Sequence, residues 1–462
     1  MDNKEYRTEH DSMGTVEVPV DKYWGAQTQR SFENFKIGSH KMPIRIIYAL
    51  AYIKKAAALA NFKLNPVKMT KHKCDIITAV CDEILQGTLD SNFPLSVWQT
   101  GSGTQTNMNV NEVIANRGNE LAKQKLIHPN DDVNMSQSSN DVFPSAIHLS
   151  ALIAVRTELI PEIKKLIKVF TRLENENEGI LKTGRTHLQD ATPVSFSQEI
   201  SGWRSMLENS LDMIESSLEY LYPLALGGTA TGTGVCSPNG FGELVCDILS
   251  DITDIPICEA DNKFRLLSAK DSVAFFHSAL NTYGANLWKI ANDIRLLASG
   301  PRCGIVEIVI QSNEPGSSIM PGKVNPTQCE AVTMVALQVQ GNNTTVSVAA
   351  SQGNFQLNVF MPLIAHNVIE SIELLSDVTN SFNKNCVAGI KPNREKMKEN
   401  LDKSLMLATA LNPHIGYENA AKVAKYAFDN NITLKEACCK LGVMDEDSFD
   451  KAVRPENMLT GY

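Results

Sequence analysis

The run Glu314-Pro315-Gly316-Ser317-Ser318-Ile319-Met320-Pro321-Gly322-Lys323-Val324-Asn325-Pro326 gathers hydroxyls, a cation and an amide in one short stretch. Its two glycines and three prolines exclude regular helix or strand, so these groups ride on a loop. Gly316 can take backbone angles that bring the amides of Ser317 and Ser318 to an anion, while Lys323 supplies a point charge and Asn325 a neutral donor. Such a loop can grip a carboxylate and reach the carbon beside it.

Four other polar segments stand out from an aliphatic background. Thr100-Gly101-Ser102-Gly103-Thr104-Gln105-Thr106-Asn107 precedes a helical pattern, so its amides can meet an anion at a helix start, or simply cap that helix. His128-Pro129-Asn130-Asp131-Asp132-Val133-Asn134-Met135-Ser136-Gln137-Ser138-Ser139-Asn140-Asp141 carries hydroxyls and amides without apolar periodicity and invites water or a carboxylate. Gly184-Arg185-Thr186-His187-Leu188-Gln189-Asp190-Ala191-Thr192-Pro193 sets a histidine, the side chain that titrates nearest neutral pH, between polar neighbours. Leu226-Gly227-Gly228-Thr229-Ala230-Thr231-Gly232-Thr233-Gly234 has the glycines of a phosphate loop but not its lysine or its strand-loop-helix setting, which excludes nucleotide binding.

The elements that must position these groups are helical. Ile44 to Phe62 is alanine-rich with helical periodicity, and Cys74 to Leu85 continues the pattern. An apolar stripe through Ile153, Leu159, Ile160, Ile163, Leu166, Ile167 and Phe170 predicts a long helix kinked at Pro161. Similar stripes over Val273 to Leu297, Glu330 to Val346 and Leu357 to Ser376 predict a helical bundle. Gly304 to Ile310 reads as a short strand, but no β-α alternation follows and a Rossmann-type sheet is excluded. Leu411 to Tyr462 holds two or three short helices broken at Pro413, Gly442 and Pro455.

With 462 residues the chain predicts about two or three domains. Its composition, 43% hydrophobic and 6% aromatic, suits aliphatic helices better than a β-sandwich. A net charge of −9 gives no support to nucleic-acid or anionic-membrane partners. The ten cysteines lack C-x-x-C or His/Cys metal spacing and read as free thiols. The charged amino terminus and the absence of an uninterrupted membrane-length apolar run point to the cytoplasm.

The run from Gly316 to Pro326 resembles the signature of the fumarase/aspartase superfamily of lyases. Gly322 before Lys323 is similar to the form in the class II fumarases, where aspartases usually carry alanine. The resemblance extends from about Arg7 to about Pro455 and implies a mainly α, three-domain fold. Its divisions are an amino-terminal helical lyase domain at 1–138, a central five-helix domain at 139–394 and a small helical domain at 395–462. Four central domains would form a twenty-helix core in a homotetramer.

The reaction implied is reversible hydration of fumarate to L-malate, with a dicarboxylate as the only small-molecule partner and no metal or organic cofactor. The resemblance makes Ser317 the base at carbon, His187 the acid/base at oxygen and Glu330 its carboxylate partner. It assigns substrate contact to Ser102, Gly103, Thr104, Ser138, Ser139, Asn140, Thr186, Ser318, Lys323, Val324 and Asn325. It assigns a second anion site outside the pocket to Lys125, His128, Pro129, Asn130 and Asp131. Val235-Cys236-Ser237-Pro238 departs from the family pattern after the glycine loop. Two alternatives stay open, an aspartate ammonia-lyase and a non-catalytic structural protein on the same scaffold.

Overall fold

The computed structural model describes residues 5–459 and is mainly α. Long helices at Ile44–Leu64, Thr104–Ala122, Ser139–Ala154, Phe196–Leu218, Asp271–Leu297, Thr327–Ala350 and Met361–Asn385 dominate it. Strands occur only in two-stranded pairs among the described residues, so the absence of β-α alternation in the sequence is matched by the absence of a large sheet. The chain divides into two compact units. One holds Met1–Pro161, Ser210–Gly284 and Val335–Asp377, and the other holds Glu162–Asn209, Ala285–Met334 and Val378–Tyr462.

In the first unit, Ile46, Leu50, Ile53, Ala57 and Ala60 form a fully buried stripe on the Ile44–Leu64 helix. That helix packs against Lys71–Leu85, Ser139–Ala154 and Phe241–Thr253. The Thr70 hydroxyl accepts from Lys73 N and starts Lys71–Leu85 three residues earlier than the apolar pattern alone suggests. Pro161 follows a π-helical turn at Val155–Leu159, so the expected kink takes the form of a widened turn where the proline has no N–H to donate. The stretch Ser139–Glu176 is long enough to cross a membrane and its most apolar window has a mean hydropathy of 1.2, which the sequence pattern did not suggest. Of its most apolar window 78% is buried inside the protein, the burial of a core helix.

In the second unit, Leu407, Leu411, Val423, Ala427, Leu434 and Cys438 form a core that holds the short carboxy-terminal helices Tyr417–Asn430, Leu434–Lys440 and Glu446–Ala452. Pro413 opens the Asn412–Ile415 helix rather than ending one, because the first helical turn has no use for its missing N–H. Ile308–Val309 pairs antiparallel with Lys391–Pro392, a partner too distant in sequence to be foreseen. The helix expected from Leu357 begins at Met361 instead. Residues 354–357 form a tight bridged turn first. All ten cysteines are free, as expected.

One buried carboxylate organises the amino-terminal segment. The Ala26–Asn34 helix follows Gly25, which has no side chain to cap it. Glu112, from the Thr104–Ala122 helix, caps it at long range, accepting from Gly25 N (2.8 Å), Gln27 N (2.9 Å), Thr28 N (3.2 Å) and Thr28 Oγ1 (2.5 Å). Burial pushes the Glu112 carboxyl above the usual carboxylate range, against the pull of those four donors. Glu112→Ala leaves the donors buried without an acceptor, and a loss of about 1–3 kcal/mol is expected. Urea unfolding followed by circular dichroism measures it.

Candidate active site

His187 sits at the tip of a hairpin in the second unit. Leu181–Thr186 pairs antiparallel with Gln189–Ser195, and the Thr186↔Gln189 register leaves His187 and Leu188 as a two-residue turn. Both have positive φ, 56° and 61°, which a two-residue hairpin demands and which favours glycine or asparagine. A leucine in that region is strained by about 1–3 kcal/mol, so the surrounding structure must hold the turn. The register shifts at Gly184, where a Cβ would lie 2.5 Å from the Thr192 carbonyl oxygen.

What holds the hairpin is a buried charge cluster at its base. Glu307 is fully buried and receives both Arg185 guanidinium nitrogens at 3.0 and 2.7 Å. Lys182 Nζ lies 3.1 Å away and Asn400 Nδ2 donates at 3.0 Å. Lys182 also reaches Glu199 at 3.1 Å. Burial drives the Glu307 carboxyl up, but Arg185, Lys182 and Asn400 outweigh it and hold the group below the ordinary carboxylate range. Thr186 and His187 project beyond this anchor and are exposed.

The signature loop, also in the second unit, closes on itself. Gly316 N donates to Lys323 O at 2.7 Å, and Asn325 Nδ2 donates to Gly316 O at 2.8 Å. Gly316 is required by proximity, since a Cβ would lie 2.8 Å from Lys323 O; Gly322 is required by its φ of 80°, with nothing near its absent Cβ. The Ser317 hydroxyl oxygen accepts two backbone N–H groups, from Ile319 at 3.2 Å and Met320 at 3.1 Å. The amides that converge are thus two and three residues beyond the serine, not those of Ser317 and Ser318, because the turn folds over the side chain. Ser318, Lys323 and Val324 are exposed. Ser317 and Lys323 line a recess of about 430 Å³.

The first unit carries the other polar segments at two helix starts. Ser102 Oγ and Thr104 Oγ1 are 2.8 Å apart at the beginning of Thr104–Ala122. Gly103 takes a φ of 74°, and a Cβ there would strike the Phe143 ring at 2.3 Å. At the second start Ser138 caps the Ser139–Ala154 helix in a capping box with Asp141. Asn140 Nδ2 donates to Ala230 O at 2.8 Å, which brings the glycine loop beside this segment.

Asp141 is fully buried and joins the same two strands of chain. It accepts from Ser138 N (2.8 Å), Gly227 N (3.1 Å) and Thr229 N (2.9 Å). Burial raises its carboxyl to about 6 against those donors. One and two turns on, Ser145 Oγ accepts Ala225 N and His148 Nδ1 meets the carbonyls of Leu221 and Pro223. One polar stripe on this helix therefore grips the chain from 221 to 229. The departing residues Val235 and Cys236 lie beyond that grip and are exposed.

Of the residues expected to form a second anion site, His128 to Asp131 lie along one surface turn. Pro129–Val133 forms a π-helical turn in which His128 Nδ1 accepts Asp131 N at 3.1 Å. Asp132 Oδ2 accepts His128 N at 2.8 Å, and Lys73 pairs with Asp132 at 2.6 Å. Lys125, His128, Asn130 and Asp131 are exposed.

A lyase family profile matches residues 14–341, and a profile for the fumarase C carboxy terminus matches residues 407–460. The chain is 55% identical over 459 residues to a class II fumarate hydratase of Bacillus subtilis, covering 98% of this chain and 99% of that one. The chain belongs to the class II fumarase family. A class II fumarate hydratase of Campylobacter jejuni is 56% identical over 460 residues, covering 98% and 99% of the two chains. The crystal structure of a class II fumarase from Schistosoma mansoni superposes with a TM-score of 0.96 at 44% identity, covering 99% of each chain. A fumarate lyase:delta crystallin from Brucella melitensis bound to cobalt has a TM-score of 0.94 at 39% identity, covering 99% of this chain and 100% of that one.

Within the fumarase frame, the sequence located the polar segments but not what holds them. Among the described residues no hydrogen bond or ion pair joins His187 to Glu330, and both are exposed. Glu307, Asp141 and Glu112 were missed because a buried carboxylate looks like a surface one until its donors arrive from remote segments. The nearest signal was Arg185, a charged residue two positions from a candidate histidine inside a glycine- and threonine-rich run.

The Glu307 cluster fixes an acid sensitivity. A carboxylate depressed in the folded chain stabilises it above the unfolded pKa, and that stability is lost as pH falls through the folded pKa. Glu307→Gln leaves Arg185 without its carboxylate and Lys182 with only Glu199. A loss of about 3–5 kcal/mol at neutral pH is expected, together with a shallower fall in Tm below about pH 4.5 than the parent shows. Thermal melts across that window check both.

Proposed function

We propose that this chain is a class II fumarate hydratase, interconverting fumarate and L-malate by anti addition and elimination of water. The names of its full-length relatives support the substrate. The observation that carries the chemistry is the Ser317 turn, where a hydroxyl oxygen accepts two backbone N–H groups beside Lys323.

The hard step is removal of a proton from a carbon next to a carboxylate. Serine is a poor base at its free pKa, and N–H groups aimed at its oxygen favour the alkoxide that can do this work. Lys323 and Asn325 stabilise the dianionic aci-carboxylate that results. His187 carries the proton of the leaving hydroxyl or entering water, with Ser102, Thr104 and Asn140 holding that oxygen. Gly103, Ser138, Ser139, Thr186, Ser318 and Val324 complete the contacts to the dicarboxylate. This scheme asks for no metal or organic cofactor.

The site is shared between subunits of a homotetramer in this reading. His187 and Glu330 are exposed and unpaired with each other within the chain, so each is free to meet its counterpart from another copy. The helix that carries Glu330 also exposes Met334, Leu337, Gly341, Thr344 and Val348, spaced three and four residues apart as in a helix-to-helix seam. We assign the chain to the cytoplasm, the three domains to 1–138, 139–394 and 395–462, and an anion-binding role to Lys125 and the 128–131 turn.

Absorbance of fumarate formed from L-malate, beside the same assay with L-aspartate, tests the function, and malate is expected to be the better substrate by a wide margin. Comparable turnover of aspartate would replace the hydratase by an ammonia-lyase. The shared site predicts that Ser317→Ala and His187→Asn, each nearly inactive alone, regain activity when refolded together. Random assembly restores about one site in four. Mixed tetramers verified by mass spectrometry but no more active than the separate variants would put both residues in one chain's site.

A further inference from the structure

Lys54 lies within the Ile44–Leu64 helix, and only 1% of its surface is exposed. Its Nζ donates to Asn134 Oδ1 at 2.9 Å and Gln137 Oε1 at 3.0 Å. The same Asn134 oxygen accepts Asn107 Nδ2 at 3.1 Å and Asn111 Nδ2 at 3.2 Å. Asn107 Nδ2 also reaches Ser139 Oγ at 3.1 Å. Asn107 stands at the fourth residue of the Thr104–Ala122 helix, whose start carries Ser102 and Thr104, while Gln137 immediately precedes the Ser138 cap. Two side-chain oxygens, those of Asn134 and Gln137, thus tie one buried amine to both helix starts that carry the polar segments of this unit.

This arrangement is poor as a stabilising device. The carbonyl oxygens of Asn107 and Asn111 are buried and have no hydrogen-bond partner among the described residues, which costs about 1–3 kcal/mol each. Burial lowers the Lys54 amine to about 7, opposed by the negative charge of Asp141. A methionine of similar length would fill the space without desolvating an amine, and Asn134 Oδ1 would still accept from Asn107 and Asn111. The geometry is nevertheless specific. Three donors converge on Asn134 Oδ1, and Asn134 Nδ2 donates in turn to Gln137 O at 3.1 Å.

We infer that Lys54 is a positioning residue for fumarate hydration: through Asn134 and Gln137 it sets Ser138–Asn140 in register with Ser102 and Thr104. The inference rests on the hydratase reading above. Lys54 touches no reacting atom. Its effect is on the distance between the two helix starts, and a displacement of about 1 Å there is worth roughly 10²-fold in rate.

The test compares the parent with Lys54→Met, Asn134→Ala and the double variant, measuring kcat and KM for L-malate, Tm and subunit assembly. Lys54→Met should keep or raise Tm and remain assembled while kcat/KM for malate falls about 10²-fold, with KM rising. Asn134→Ala should fall in the same direction, and the double variant should lose less than the product of the two single losses, because Lys54 and Asn134 share a contact. A folded Lys54→Met with parental kcat and KM overturns the inference, and so does a double variant whose losses multiply. If Lys54→Met does not fold, Asn134→Ala decides alone, and parental constants in it overturn the inference. A parent inactive on malate would instead refute the hydratase reading.

Discussion

A carboxylate taken out of water must be given donors, and that constraint holds the amino-terminal helix, the Ser138 turn and the His187 hairpin in place. Glu112 collects the first amides of a helix, Asp141 ties the Ser138 turn to the glycine loop, and Glu307 anchors the hairpin that carries His187. In each case the donors come from segments far apart in sequence. The carboxylate works as a tie between loops that have little apolar surface of their own. Polar loops cannot be held by hydrophobic burial, so buried charge does the holding.

Ser317 and Lys54 extend the same logic to groups of other kinds. Ser317 presents an oxygen onto which its own loop folds two amides. Lys54 is a cation held by side-chain carbonyls rather than by a carboxylate in direct contact. The Lys54 cluster, with two buried amide oxygens left unpartnered, is a local departure from what would make the most stable chain. Such departures are expected where a site needs geometry more than the fold needs free energy.

The helices were legible because their apolar stripes repeat at the helical period. The stripe at Ile44 to Phe62 became the Ile44–Leu64 helix, and Val273 to Leu297 became Asp271–Leu297. The loop at 314–326 was legible because its glycines and prolines exclude regular helix or strand. The two hairpins were not. Tyr6–Asp11 is mostly charged and hydroxyl residues and Gly14–Pro19 offers only Val16 and Val18 as an alternating apolar pair, while the second hairpin turns at His187-Leu188, a pair that carries no turn signature. The long-range caps were invisible for a different reason: composition records that a glutamate is present, and only the fold decides whether water reaches it.

The two-residue turn at His187 and Leu188 also limits how the protein can vary. Side chains along a strand alternate between faces, so adding or deleting one residue in Leu181–Thr186 would send Arg185 to the opposite side and away from Glu307. Lengthening the turn would relieve its strain but would loosen the direction in which the imidazole points. Substitutions can therefore accumulate around this hairpin far more readily than changes in its length. Homologous chains that differ widely in sequence should keep the spacing from Lys182 to His187 intact, with the histidine's aim inherited as a count of residues.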